Sequence, residues 1–267
     1  MPVDYHIHTK MCGHAEGGIE EYIAAAKQRG LREIGFSDHS PMYYLPVAER
    51  DPSVAMREED LSGYVQKIKD LQKTVYPVSI KLGIEADYAP GMETKLAEIL
   101  RTYDFDYVLG SIHFVDGWGF DNPAYIEEYK TRDLGKLYRQ YFGALGLAAG
   151  SGLFDVLAHP DLIAKFGFRP EGDLGGLYRE VLQQISDSGV CVEINTAGLR
   201  VPKKEIYPSP EFLKLCFQNK VPVTLGSDAH RPELVGADFP LAIDLLKSVG
   251  YNQVAIFNKR NRNYCRI

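Results

Sequence analysis

Short apolar runs alternate with amphipathic stretches along almost the whole chain. The runs have the length of buried strands, and the stretches between them place apolar residues at the three- and four-residue spacing of a helix face. Predicted strands cover residues 3–8, 33–37, 78–85, 107–112, 154–158, 190–195 and 222–226, with a further one at 253–257. Predicted helices cover residues 19–29, 58–75, 94–101, 134–149, 174–188, 210–218 and 241–249.

This alternation of strands and helices predicts a parallel sheet, and seven or eight such units are enough to close it into a barrel. An open, doubly wound sheet more often concentrates its ligands at one switch point, behind a glycine-rich first turn. No G-x-G-x-x-G sequence follows the first predicted strand. We therefore predict an α/β barrel, whose functional groups stand at the C-terminal ends of the strands.

The histidines concentrate at those strand ends. Most of them end or closely follow an apolar run, as in VDYHIH, IGFSDH, VLGSIH, FDVLAH and VTLGSDAH. Neutral imidazole is a common metal ligand, and a strand end gives it a rigid base with access to solvent. The pattern predicts one metal site from His6, His8, His14, His39, His113, His159 and His230. Because that site draws on both ends of the chain, we expect residues 1–267 to form a single domain.

Residues two positions apart on a strand point to the same side. His6 and His8 therefore project together, and Asp228 and His230 repeat the arrangement after the last well-defined apolar run. Glu85 ends the run SIKLGIE. Beside so many imidazoles, this carboxylate is predicted to bridge two cations, because closely spaced cations need an anion between them.

Further polar residues are candidates for orienting the histidines. Glu193 and Asn195 share parity in VEINTAG, and Asp4 and Asp38 stand beside candidate ligands. A histidine bound to metal ordinarily donates its second ring N–H to such a group. Cys12 lies among the ligands, but local packing is the favoured interpretation, because the four scattered cysteines form no CxxC pair.

Composition limits the partners. The net charge of −6 and the pI near 5.7 disfavour a general nucleic-acid binder. No apolar run approaches the ~18 residues that cross a bilayer, and the N-terminus has no signal-peptide pattern. We therefore expect a cytoplasmic protein without a membrane partner. The only basic run is predicted to be a solvated tail, formed by Lys259, Arg260, Arg262 and Arg266.

Eight ordered sequence blocks resemble a known family. HIHT, CGHAEG, FSDHS, GIEADY, GSIHF, AHPD, NTAGLR and GSDAHR together resemble the PHP (polymerase and histidinol phosphatase) superfamily. Within it, the chain is most similar to the monofunctional histidinol-phosphate phosphatases, from His6 to about Gly236. The resemblance implies a distorted (β/α)7 barrel of the PHP type. It also implies hydrolysis of L-histidinol phosphate to L-histidinol and phosphate, in histidine biosynthesis.

A trinuclear metal centre is part of what the resemblance implies. Its first metal falls to His6, His8, Glu85 and Asp228. Glu85 bridges to the second metal, which is completed by His113 and His159. The third metal falls to His14, His39 and His230, so that every ligand position of the family is filled. Nitrogen and oxygen ligands without thiolate are compatible with zinc, iron or manganese.

Such a centre suits a phosphate monoester. Three divalent cations exceed the charge of two carboxylates and a hydroxide by about +3, which matches the phosphate dianion and its transition state. Our hypothesis is in-line attack by a hydroxide bridging the first two metals, with Asp228 or His230 protonating the leaving oxygen. Arg200 is the better candidate for clamping phosphate, because arginine matches phosphate oxygens bidentately, and Lys165 is another.

Two connections, residues 40–57 and 114–133, are longer than the rest. Long loops at the catalytic face of a barrel usually shape the substrate pocket. The second loop carries candidates for binding the ammonium and imidazole of histidinol phosphate, chiefly Asp121, Trp118 and Tyr125. Tyr43 and Tyr44 of the first loop are further candidates.

Other functions remain as alternatives. A PHP phosphoesterase for another small phosphomonoester or a nucleotide would use the same metals, although the net acidity favours a small substrate. A barrel amidohydrolase ordinarily has a bridging lysine where this chain has Glu85. A metal-binding module without activity leaves Arg200 and the two loops unexplained. The sequence does not indicate an oligomeric state.

Overall fold

The computed structural model describes residues 3–267, and most of its strands and helices lie within two or three residues of the predicted bounds. The strands are β1 Val3–Ile7, β2 Glu33–Phe36, β3 Ser79–Leu82, β4 Glu85–Asp87, β5 Leu109–Ser111, β6 Phe114–Val115, β7 Trp118–Gly119, β8 Val156–Leu157, β9 Cys191–Asn195, β10 Val223–Gly226, β11 Gln253–Asn258 and β12 Asn261–Arg266. The helices are α1 Ile19–Gln28, α2 Leu61–Gln72, α3 Glu93–Thr102, α4 Leu134–Gly150, α5 Gly175–Ser188, α6 Pro210–Gln218 and α7 Phe239–Val249.

The parallel strands form a barrel from two sheets. One sheet has the order β1-β2-β3, and the other has the order β10-β9-β8-β5-β4. Isolated bridges join the two sheets at two seams, one between Ile7 and Ala229 and the other between His39 and Glu85. With β3 and β4 counted as one broken strand, the barrel has seven strands, and the predicted distorted (β/α)7 fold is confirmed.

The strand predicted over residues 78–85 is divided into β3 and β4. Tyr107 fills the interior at this level, where a Cβ atom on Gly35 or Gly83 would overlap its ring. Pairing continues past the break, because the Gly83 N–H donates to Phe36 O at 2.8 Å. The break therefore redirects the strand instead of ending the wall, and Glu85 begins the segment nearest the C-terminal end of the barrel.

The helices bury one face each against the barrel. On α5, the residues Tyr178, Val181, Leu182 and Ile185 repeat at helical spacing and are all buried. The helix α4 is the longest described, with 17 residues. Within residues 3–267, no helix is both long enough and apolar enough to cross a membrane.

The C-terminal basic run is exposed to solvent, as predicted, but the prediction that it is a tail is wrong. Residues 253–266 form an antiparallel hairpin of β11 and β12 instead. Arg260 Nε donates to Asp155 Oδ2 at 2.8 Å, and an Arg262 guanidinium nitrogen donates to Gly189 O at 2.6 Å. The side chains of β12 are largely exposed, but its backbone is paired. Arg260 in the turn and Arg262 in β12 fasten the hairpin to the barrel.

Candidate metal centre

The predicted ligands meet at the C-terminal end of the barrel. They lie in or just after β1, β2, β5, β8 and β10, or at the start of β4, and His14 follows the first 3-10 turn. Two of them adopt a positive φ, 30° at His159 and 54° at Asp228. Left-handed backbone is unfavourable for residues with a side chain, and such strain concentrates at functional sites.

Glu85 stands at the centre of the cluster and is only 1% exposed. Its Oε2 atom lies 3.1 Å from His6 Nε2, 3.5 Å from His8 Nε2 and 3.0 Å from His39 Nδ1. Its Oε1 atom faces a second group, at 3.0 Å from His159 Nε2 and 3.7 Å from His113 Nε2. One carboxylate therefore presents one oxygen to each of two groups of imidazoles, the geometry that a bridging ligand requires.

Asp228 approaches the first group from the end of β10. Its Oδ1 atom lies 3.4 Å from His8 Nε2 and 3.7 Å from His6 Nε2. The same oxygen lies 3.4 Å from His230 Nδ1. Asp228 thus contacts the buried histidines of β1 on one side and a histidine of the cavity wall on the other.

The remaining imidazoles lie nearer the solvent. The rings of His14 and His230 stack with centroids 4.6 Å apart, and the His39 ring lies 5.4 Å from that of His14. His8 stacks on His230 at 4.0 Å. The structure therefore brings His14, His39 and His230 together, directly above the buried ligand candidates of β1.

Several ligand-type atoms are buried without a hydrogen-bond partner in the described part of the chain. They are His6 Nε2, both ring nitrogens of His8, Glu85 Oε2, His159 Nδ1 and His230 Nε2. Ligand atoms lie within 4.8 Å of one another in sets such as His6–His8–Glu85, His6–His159–Asp228 and His8–His39–His230. Buried polar atoms are ordinarily satisfied, and divalent cations would satisfy these. The donor set therefore fits a site for such cations.

Acids and imidazoles in the cluster shift each other's pKa. Burial would raise the pKa of both carboxyls, but His39 and His6 outweigh it at Glu85, and His6 and His8 outweigh it at Asp228. The pKa of each carboxyl is held well below its usual range. Burial, reinforced by neighbouring imidazoles, lowers the pKa of His8 well below its usual value. Burial lowers the pKa of His6, but Glu193 and Glu85 outweigh it and raise that pKa well above its usual value. In the metal-free protein, protonated imidazoles therefore balance the acids, and a cation that binds must displace those protons.

Glu193 holds two of the ligand candidates from behind. Its Oε1 lies 2.7 Å from His6 Nδ1, and its Oε2 accepts from the His159 backbone N–H at 2.8 Å and from Asn195 Nδ2 at 3.0 Å. A Cβ atom on Gly226 would overlap Glu193 Oε1, so glycine makes room for this carboxylate. Glu193 thus contacts the His6 ring, as predicted, and the backbone of His159, whereas the Asn195 amide contacts the carboxylates of Glu193 and Asp228 and, within the described residues, no imidazole.

Two other acids behave differently from the prediction. Asp4 contacts no imidazole ring, and accepts from the backbone N–H groups of Ser227 and Gly236 at 2.9 and 2.8 Å. Asp38 binds the backbone N–H and hydroxyl of Thr9, and its Oδ1 lies 4.0 Å from His8 Nδ1. Both acids therefore hold the backbone around the site rather than the rings.

Asp87 is a functional candidate that the sequence interpretation missed. Its Oδ1 lies 2.8 Å from His113 Nδ1, opposite the ring nitrogen that faces Glu85. Burial lowers the pKa of His113, but Asp87 outweighs it and raises the pKa to about 10. The signal was available, because Glu85 and Asp87 share parity in GIEADY as His6 and His8 do in HIH.

A cavity of about 710 Å³ opens above the cluster. His14, His39, His113, His159, Glu85, Asp228 and His230 line its floor. Both long loops contribute to its walls, the first through Met42, Leu45, Glu49 and Asp51 and the second through Phe114, Asp121, Asn122, Pro123 and Tyr125. The cavity is large enough for a small ligand and small for a macromolecule.

Some of the predicted substrate-contact residues line the cavity, and others are bonded to protein groups. Arg200 and Tyr125 line the cavity, and Lys165 lines it while its Nζ lies 3.2 Å from Asp121 Oδ2. Arg200 is also fastened to the protein, through Ser227 O at 2.5 Å. The two tyrosines of the first loop turn to Asp87, Tyr43 to its backbone and Tyr44 to its carboxylate.

Trp118 does not support its predicted substrate contact. It is buried and absent from the cavity wall. Its ring lies 4.8 Å from that of Tyr129 and 3.8 Å from the guanidinium carbon of Arg132. The aromatic side chain therefore packs the inside of the loop, a role that composition cannot distinguish from ligand binding.

Cys12 lies beside the ligand candidates His14 and His230. Its sulfur is within 4.8 Å of ligand atoms of His14 and His230, and the residue is fully buried. Burial raises the pKa of the thiol to about 12, which keeps it protonated at neutral pH. The packing role expected for Cys12 from the sequence stays a prediction.

Comparison with known proteins places the chain in a family. The PHP domain model matches residues 4–197, and the chain belongs to the PHP domain family. A probable histidinol-phosphatase of Deinococcus radiodurans is 39% identical over 260 residues, covering 96% of this chain and 97% of that protein. The histidinol-phosphatase of Bacillus subtilis is 28% identical over 261 residues, covering 87% of this chain and 95% of that protein.

A solved structure shares the fold. The histidinol phosphate phosphatase of Lactococcus lactis, crystallised with zinc, L-histidinol and phosphate, superposes with a TM-score of 0.77. It is 23% identical, and the match covers 98% of both chains. The likeness at this identity supports the same barrel over nearly the full length of both proteins.

Proposed function

We propose that this chain is a metal-dependent phosphomonoesterase that hydrolyses L-histidinol phosphate to L-histidinol and phosphate. The observation that carries the proposal is the cage of seven histidines, Glu85 and Asp228 beneath a cavity of about 710 Å³. The names of the relatives and the ligands of the Lactococcus lactis enzyme support the substrate. Histidine biosynthesis is the pathway that this activity serves.

Three groups of residues would hold three divalent ions, of zinc, iron or manganese. The first group is His6, His8, Glu85 and Asp228, the second is Glu85, His113 and His159, and the third is His14, His39 and His230. The two-sided contacts of Glu85 support its role as the shared ligand. When bound, such ions stabilise negative charge on phosphate oxygens and lower the pKa of water from 15.7 toward ~7.

The residues of the chain would move the proton. Asp228 is ionised, because nearby imidazoles hold its pKa well below the usual range against the effect of burial. Once it has taken a proton from a water at the cavity floor, its carboxyl group can donate that proton to the departing alkoxide oxygen, so that the alcohol leaves and phosphate remains. His230, 3.4 Å from Asp228 Oδ1, is the alternative donor to the leaving oxygen.

The cavity wall would bind the rest of the substrate. Arg200 is proposed to contact the phosphate and Lys165 to assist it, since both line the cavity. Asp121 and Tyr125 are proposed to receive the ammonium and imidazole groups. An acid and an aromatic ring suit a cationic amine beside a planar heterocycle. A single domain over residues 1–267, of which residues 1 and 2 lie outside the described part, and a cytoplasmic location remain predictions.

A phosphate-release assay tests the function. Protein stripped with a chelator and reloaded with zinc or manganese is given histidinol phosphate, a nucleotide monophosphate and several sugar phosphates. We expect kcat/KM to be highest for histidinol phosphate and activity to depend on the added metal. A strong preference for the nucleotide or another ester would show that histidinol phosphate is not the substrate. If no ester released phosphate, the proposed phosphatase activity would be rejected.

The Asp228→Asn variant tests the proton transfer. Turnover should fall by about 10²–10⁴-fold, the usual contribution of a positioned acid or base. Metal content is measured by elemental analysis in parallel, because Asp228 is also a proposed ligand. Near-normal turnover with intact metal content would remove Asp228 from the mechanism and favour His230.

A further inference from the structure

Tyr207 lies at the wall of the cavity, on a segment that the sequence interpretation did not consider. The residue is 1% exposed and its ring centroid lies 6.4 Å from that of His159. It is bonded to Asn195 through both backbone groups: the Asn195 N–H donates to Tyr207 O at 2.7 Å, and the Tyr207 N–H donates to Asn195 O at 2.9 Å. The ring is thereby fixed beside the end of β9.

A buried ion pair fixes the rest of this segment. Lys203 Nζ lies 2.7 Å from Asp161 Oδ1, and both side chains are 3% exposed or less. Asp161 Oδ2 accepts from the Ser209 backbone N–H at 2.8 Å. The ammonium also lies 4.3 Å from the Tyr207 ring centroid, within the range of a cation–π contact. Residues 203–209 are thus tied to the AHPD block that contains His159.

The hydroxyl of Tyr207 is buried and has no hydrogen-bond partner among residues 3–267. The unpartnered histidine nitrogens and Glu85 Oε2 nearby are atoms that a cation satisfies, but a phenol O–H is a donor and requires an acceptor. Burial, together with Asp161 and Asp228, raises the pKa of this phenol above its usual value, so it keeps its proton. A donor held in place at the wall of a phosphatase site is suited to an anionic oxygen.

We propose that the Tyr207 hydroxyl is a substrate-binding donor that contacts a nonbridging oxygen of the phosphate group, on a segment positioned by the Asp161–Lys203 pair. The inference rests on the proposed function and adds a phosphate contact to those of Arg200 and Lys165. Because the donor has no partner among the described protein groups, forming the bond breaks none within the fold. The contact therefore contributes to phosphate binding and not to stability.

The Tyr207→Phe variant tests this inference, because it removes the hydroxyl and keeps the ring. We expect the dissociation constant of zinc-loaded protein for inorganic phosphate, measured by calorimetry, to rise about 10- to 100-fold, the size of one hydrogen bond to a charged group. The kcat/KM for histidinol phosphate should fall by a similar factor. Zinc content and the Tm of the metal-free protein should not decrease.

Tyr138→Phe is the matched control. Tyr138 is equally buried, but its hydroxyl donates to Phe168 O at 2.6 Å and the residue is outside the cavity wall. The Tm of this variant should be lower than that of the wild type, and its phosphate affinity should be unchanged. Tyr207→Phe should show the opposite: weaker phosphate binding and a Tm that does not decrease. Unchanged phosphate affinity in Tyr207→Phe would overturn the inference, as would failure of the zinc-loaded wild type to bind phosphate. Phosphate binding without hydrolysis of histidinol phosphate would reject the proposed function alone.

Discussion

Replacing Glu193 by glutamine changes one atom in the layer behind the proposed ligands. In the wild type, Oε1 accepts from His6 Nδ1 at 2.7 Å, while Oε2 accepts from the His159 N–H and the Asn195 amide at 2.8 and 3.0 Å. All three partners are donors in this arrangement, and a carboxylate satisfies them because it only accepts. Glutamine must turn its NH₂ group toward one side.

Either orientation of the glutamine damages the site. If its NH₂ faces His6, the ring must accept at Nδ1 and carry its proton on Nε2, the nitrogen that lies toward Glu85 and is needed for a cation. If its NH₂ faces the other way, two donors lose their acceptor in a buried place. The first outcome lowers zinc affinity about 10- to 100-fold, and the second lowers the free energy of unfolding by about 1–3 kcal/mol.

Zinc affinity is measured by competition with a chromophoric chelator, and the free energy of unfolding by urea titration of metal-free protein. The exposed Glu180 in the middle of α5 provides the control substitution, Glu180→Gln, which should change neither quantity. A Glu193→Gln protein with wild-type zinc affinity and wild-type stability would show that Glu193 does not set the tautomer of His6. The role assigned to the layer behind the ligands would then be wrong.

Three further predictions concern residues around the proposed ligands and the cavity wall. In the metal-free protein, Asp87 outweighs burial and raises the pKa of His113 to about 10. This contribution is complete below pH 6.5 and disappears as the pH rises toward 10, so urea unfolding should show the wild type losing roughly 2–4 kcal/mol more than Asp87→Asn over that range. Asp161→Asn leaves the buried Lys203 ammonium unpaired and should lower the free energy of unfolding by about 3–5 kcal/mol. Gly226→Ala overlaps the carboxylate behind the site and should cost about 1–3 kcal/mol in the same assay, with weaker zinc binding.

Each of these variants has an outcome that contradicts its reasoning. Parallel pH profiles of wild type and Asp87→Asn would remove the coupling to His113. Full stability of Asp161→Asn would mean that Lys203 is not held by this pair. For the glycine substitution, Gly63→Ala on α2 is the control, because an added Cβ there meets nothing within 4 Å. Equal behaviour of the two alanine variants would exclude the overlap as the cause.

The sequence was informative wherever local periodicity decides the structure. The parity of His6 and His8 on one strand follows from pleat geometry, so their convergence could be predicted without a fold. The same parity would have found Asp87, two residues after Glu85 in GIEADY, had it been applied to that segment. Strand ends and ligand positions were predictable together, because parallel strands deliver their C-terminal ends to one side.

Contacts between distant segments were not predictable. Trp118 and Tyr125 stand on one loop with similar chemistry, yet the first packs inward against Arg132 and the second faces the cavity. Tyr207 acquires its position from Asn195 and from an ion pair that spans 42 residues of sequence. The basic run at the C-terminus looks like a solvated tail until Asp155 is known to lie opposite Arg260. Side-chain direction in loops depends on such partners, which periodicity does not encode.

The two seams of the barrel pass directly beneath the candidate ligands. His6 and His8 face Asp228 across the first seam, and His39 faces Glu85 across the second. Ions bound at the two seams would cross-link the two sheets, which only isolated β-bridges join at these positions. Loading with zinc should therefore slow amide hydrogen exchange most at His8, Ala229 and Ser40, whose N–H groups span the seams. The barrel positions the metal ligands, and the bound ions would in turn make the barrel more rigid.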